Sequence, residues 1–219
     1  SIDTIRRSLA AFVILLSLSA TVEVANAASY SFNEAGGAWT NLENWTPKGV
    51  PGPRDSVTIS GNVTLGSNTY VEELYLFDGM LSGSGILSCP NTVCYGSFSI
   101  SLPFDNTGSV TSYDFLSLGN VYSSTGSYYA AGSGGIEFTG VADLSGSITG
   151  SGTIYFNGAT VNVYGLYNVG TTWIQSATVN FYDGNTDVLL MDSGILSASA
   201  SFFGFGCLLV WRAANWQWH

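Results

Sequence analysis

The chain has 219 residues, five Lys and Arg against 15 Asp and Glu, a net charge of −10 and only 9% charged residues. An acidic surface of this kind repels nucleic acid and anionic membranes, so both are excluded as partners. The aromatic and β-branched content excludes disorder, and the abundance of Gly, Ser, Thr and Asn suits short strands and tight turns better than amphipathic helices.

The first element in the chain reads as a secretory signal peptide over residues 1–27. Arg6 and Arg7 precede the apolar run from Leu9 to Leu16, and Ala25-Asn26-Ala27 puts small side chains at −3 and −1, which places cleavage after Ala27. The apolar run falls short of the roughly 20 residues that a spanning helix needs. The sequence opens on Ser1 instead of Met, which suggests a fragment or an imperfect coding start. After the leader come about 190 residues, enough for one domain with its own core.

Residues 28–55 read as an N-terminal capping segment. It carries Trp39, Asn44-Trp45 and Gly49-Val50-Pro51, and leads through Asp55 into Val57-Thr58-Ile59. This pattern, covering residues 38–60, resembles the opening of secreted or surface-exposed right-handed parallel β-helix proteins, autotransporter-like or pectin-lyase-like in architecture. The resemblance implies a β-solenoid and does not by itself imply an activity. Trp39 and Trp45 have two readings: they cap the open end of the solenoid, or they form a platform on which a sugar stacks; capping is preferred because solenoid ends must be covered. Asn44 and Asn62 open Asn-x-Thr sequons and are candidate N-glycosylation sites.

From residue 56 to 201 the chain alternates apolar and polar residues in short runs: 56–59, 73–77, 135–138, 153–156, 160–164 and 178–181. This is the period-two signature of strands. Similar small-Gly-apolar phrases recur at 81–87, 148–154 and 192–197. Counting from Gly85 through Gly108, Gly135, Gly152 and Gly194 gives gaps of 23, 27, 17 and 42 residues, the last read as two coils, which suggests rungs of about 20 to 25 residues. The expected fold is therefore all-β, a right-handed parallel β-helix, with an antiparallel β-sandwich as the alternative.

Candidate chemistry is sparse. Cys89 and Cys94 bracket a loop-like segment and suggest a local disulfide, with Cys207 left over. A zinc site would need a second cysteine pair or an internal histidine, and the only histidine is His219. Glu72-Glu73 reads as an exposed strand entry. Asp183-Gly184-Asn185-Thr186-Asp187, with Asp192 nearby, begins like a calcium loop but has Val188 where that loop needs Gly and lacks its terminal Glu; it reads as a solvated turn, so no cofactor is expected beyond this fragment of a Ca²⁺ site. No Gly-x-Ser-x-Gly elbow is present, and basic residues are absent from 55 to 211. Tyr122, Tyr128, Tyr129, Tyr155, Tyr164 and Tyr167 suggest an aromatic ladder. Residues 202–219 form an apolar tail rich in Trp, read as a truncated or misread end. The expectation is a noncatalytic structural or adhesive module, secreted or at a cell surface, whose partner is an extracellular protein or polysaccharide or a second copy of itself. The alternative is a carbohydrate-active β-helix.

Overall fold

The computed structural model describes residues 26–198 together with the short strands Val210–Trp211 and Asn215–Trp216. Residues 1–25, which hold most of the segment 1–27 read as a signal peptide, Cys207 and most of the C-terminal tail therefore lie outside the described residues.

The chain folds as a β-solenoid of about eight turns. Each turn contributes short strands to three faces, and each strand pairs in parallel with the equivalent strand one turn on. The first face stacks residues 56–59, 73–76, Asn91–Cys94, Ser109–Ser112 and Ser127–Ala130 in register. It continues through 148–150, 167–169 and 184–186. The second face runs through 97–100, 115–118, Gly135–Phe138, 153–156, 171–174 and 188–191. Val141–Leu144, Thr160–Val163, 178–181 and 195–198 carry the third. The sandwich alternative is ruled out by this pairing. The one antiparallel pair among the described residues joins Ser29–Phe32 to Trp45–Thr46 in the N-terminal segment.

Alternation explains why these sequences stack. In a strand successive side chains point to opposite faces, so Thr160-Val161-Asn162-Val163 turns both valines inward and leaves Thr160 and Asn162 outside. Equivalent inward positions form columns: Val57, Leu74, Thr92, Val110, Tyr128, Ile148 and Tyr167 behind the first face, and Ile100, Leu118, Phe138, Phe156, Ile174 and Met191 behind the second. All are buried and belong to one apolar cluster with the exception of Thr92, which is buried among them as a polar residue.

The rung is shorter than the glycine gaps suggest. Successive in-register partners 57, 74, 92, 110, 128, 148, 167 and 184 lie 17 to 20 residues apart. The counted glycines do not occupy one column: Gly135 opens a second-face strand opposite Phe115, while Gly194 lies opposite Ala177 at the entry to the third face. What unites many glycines is crowding between turns. A Cβ on Gly165 would collide with the carbonyl oxygen of Gly146, and one on Gly146 with that of Gly126, so this bend admits no side chain. At Gly150 a positive φ of 127° adds to the same crowding against the Ala130 carbonyl.

Candidate functional surface

The N-terminal segment is built around Trp45, which is 1% exposed, and Trp39, 2% exposed. The two rings meet edge to face at 4.9 Å, and Trp45 meets Phe32 in the same way at 5.2 Å. The Trp45 indole N–H donates to the Trp39 carbonyl at 2.8 Å, while the Trp39 indole N–H is buried without an acceptor. Neither ring has a face open to a sugar, so the glycan-platform reading of Trp39 and Trp45 is overturned and the capping reading fits. Asp55 fastens this cap to the first turn. Its Oδ1 accepts from the Ala28 backbone N–H at 2.9 Å and its Oδ2 from Gly52 N–H at 2.7 Å, and its carbonyl accepts from Glu72 N–H. In the sequence Asp55 is one position of the pattern over residues 38–60; its acceptor role shows once residues 28 and 52 converge on it.

Asn44 is buried, its amide donating to the Ala38 carbonyl at 3.0 Å and its side-chain oxygen accepting from Asn41. The folded cap has no room for a glycan there, which corrects that assignment. Asn62 is exposed on its strand, between Gly36, which has no side chain, and Met80.

Cys89 and Cys94 are free, buried thiols, and the expected disulfide is corrected. Asn91–Cys94 is a strand, not a loop: at about 3.3 Å per residue it extends about 10 Å from Asn91 to Cys94, and Cys89 lies before it, across the bend at Pro90. Each thiol donates to a carbonyl two residues ahead, Cys89 to Asn91 at 3.2 Å and Cys94 to Gly96 at 3.0 Å. Ser112, the partner of Cys94 one turn on, does the same to Asp114 at 3.3 Å. Burial pushes the thiols up to about 11 and about 12 respectively.

The acidic run at 183–187 is not a calcium-type loop or a free turn. Gly184–Ala198 is a strand paired along the preceding turn, and Thr186 is a buried inward residue donating to the Val188 carbonyl. Among the described residues no group of three His, Cys, Asp or Glu converges, and no helix is long and apolar enough to cross a membrane. Glu72 and Glu73 each accept from a tyrosine, Tyr70 and Tyr75, at the entry to the first face.

The tyrosines divide differently from the expected single ladder. Tyr128 and Tyr167 point into the core, their hydroxyls bonded to Ser124 at 2.8 Å and Thr172 at 2.7 Å. Burial pushes Tyr128 up to about 12 and Tyr167 further in the same direction. Tyr129 is exposed on the first face, and the Tyr122 side chain lies outside the described residues. Two exposed ladders sit at the corners. Phe77, Tyr95 and Tyr113 follow the first face with ring centroids 5.5 Å apart, and Tyr164 and Tyr182 stack at 4.7 Å after the third. Tyr95, Tyr113, Phe77 and Tyr182 escape a sequence reading because the shared corner position appears only when the 17- to 20-residue register is known. A third aromatic group lies on the second face, where Tyr155 meets Phe115 at 5.7 Å and Trp173 at 5.9 Å. Beside it Glu137 accepts from Ser117 at 2.8 Å and Asn157 at 3.1 Å. On the third face Asn162 donates to Asp143 and accepts from Asn180, a polar ladder that crosses three turns.

Fold and surface together define a β-solenoid with a tryptophan-built cap and stacked outward ladders. The chain matches no protein family, no curated protein and no solved structure.

Proposed function

We propose that this chain is a noncatalytic structural or adhesive module, secreted or displayed at a cell surface or in an extracellular coat. The observation that supports this most is how the exposed aromatics are spent. Tyr95 is sandwiched between Phe77 and Tyr113, the latter nearly parallel at 4°, so its ring faces are given to its neighbours and only its edge and hydroxyl meet solvent. Sugar stacking needs an open ring face, whereas a scaffold gains from rings that tie turn to turn. The export signal read in the sequence supports the location.

A second reading, polysaccharide binding, is favoured by one patch. Trp173 is 39% exposed beside Tyr155, and the Glu137 carboxylate is held in place nearby by Ser117 and Asn157. A glycan-array assay on the folded, leader-free chain, with and without calcium, separates the two. The scaffold reading expects no saturable binding; saturable binding abolished by Trp173→Ala overturns it in favour of the patch.

A further inference from the structure

We infer that signal-peptide cleavage completes the N-terminal cap: hydrolysis of the Ala27–Ala28 bond creates an ammonium group on Ala28 that Asp55 is positioned to receive. Two independent observations meet here. The small-residue pattern Ala25-Asn26-Ala27 puts the scissile bond before Ala28. The fold puts the nitrogen of that same residue 2.9 Å from Asp55 Oδ1.

The geometry makes the arrangement specific. Ser29 is in register with Ser56, which sets Ala28 opposite Asp55, and the Ala28 carbonyl accepts from Ser56 N–H at 2.9 Å, so the nitrogen has a fixed place. Asp55 cannot turn away, because its other oxygen holds Gly52 N–H at 2.7 Å. Ala28 and Asp55 are both half-buried, while Asn26 and Ala27 are exposed and pair with no strand. In the hydrolysis, water adds across the amide: Ala27 leaves with a carboxylate on the leader, and Ala28 keeps the nitrogen, which takes up a proton. The peptidase is supplied by the export route. A neutral backbone bond to Asp55 thereby becomes a charge-assisted one, which is shorter and stronger.

The inference rests on the export reading, and the experiment separates the two. The chain is expressed with its leader in a secreting host, and its N-terminus is determined by intact mass and N-terminal sequencing. A mature chain beginning at Ala28 is then compared by urea unfolding with the same chain Nα-acetylated, which keeps an N–H but removes the charge. Acetylation is expected to raise the unfolding constant roughly 3- to 10-fold in the parent chain and to have little effect in Asp55→Asn. Should Asp55→Asn not fold, the parent pair is compared at low and high salt, where the difference must shrink as screening grows. An uncleaved chain, or one beginning elsewhere, overturns the export reading at this bond. Cleavage at Ala28 with no effect of acetylation, or with an effect that Asp55→Asn and salt leave unchanged, overturns the inference and leaves the export reading standing.

Discussion

At the level of single residues, burial decides chemistry more than residue type does. Cys89 and Cys94 look like a secreted disulfide by spacing, yet each thiol faces inward and is held protonated. Since the thiolate is the reactive form, both are expected to resist alkylation in the folded chain at neutral pH and to react fully in denaturant, which a mass measurement after iodoacetamide treatment reads directly. The same shifts make stability pH-dependent. A thiol whose pKa rises on folding binds its proton longer in the folded state, so its contribution is intact below the unfolded value near 9 and is lost as pH climbs towards about 11 for Cys89 and about 12 for Cys94. Unfolding free energies from urea titrations are expected to fall between about pH 8 and about pH 10.5 by on the order of 1 kcal/mol per thiol, and less in Cys89→Ser. A flat profile over that window would contradict the buried placement. The two sequons divide on the same principle: in a eukaryotic secreting host, glycan is expected at exposed Asn62 and not at Asn44, with site occupancy read by peptide mass spectrometry.

At the level of strands and corners, the close spacing of turns explains the glycines better than turn type does. Gly165→Ala would push a methyl into the Gly146 carbonyl, and either the bend or the strand after it must shift, at a cost on the order of 2 kcal/mol. Gly66 is a natural control, with nothing within 4 Å of an added Cβ and no positive φ, so Gly66→Ala is expected to be neutral or to stabilise by about 0.5 kcal/mol through the unfolded chain. Thermal melts of the two variants check both, and equal melting temperatures would remove crowding as the reason for Gly165. Legibility in the sequence follows from the same geometry. Thr160-Val161-Asn162-Val163 and Gly135-Ile136-Glu137-Phe138 are visible because inward aliphatics alternate with outward polar residues. Asn91–Cys94, Ser109–Ser112 and Ser127–Ala130 are hidden because their inward residues include Thr92, Cys94, Ser112 and Ala130, small or polar side chains that give no apolar period yet sit in the same columns. Trp39 and Trp45 were visible as a pair, but which face a tryptophan presents depends on Phe32 and Tyr30 arriving from another strand.

At the level of the whole molecule, the apolar core runs along the axis and each turn packs only on the turns beside it, so the place of a mutation along the axis sets its consequence. Each turn is stabilised by its two neighbours, and stability is approximately a sum of turn and interface contributions. Trp45 sits where one neighbour is the cap alone. Trp45→Ala removes the ring that joins Phe32, Tyr30 and Trp39 and breaks the bond to the Trp39 carbonyl, a loss of about 3 to 5 kcal/mol by comparison with other buried aromatic truncations. Because the pairing of 29–31 with 56–58 runs through this cap, the first turn should open while turns near Ile136, Ile154 and Phe156, enclosed on both sides, stay closed. Hydrogen exchange read by mass spectrometry is expected to show protection falling at 56–65 by at least an order of magnitude, with residues 153–156 little changed. A uniform fall along the axis would mean that the eight turns unfold as one unit and that the cap stabilises the far end as strongly as the near one. A graded fall would place the cap as the limiting element of the solenoid, the part whose opening exposes the first turn.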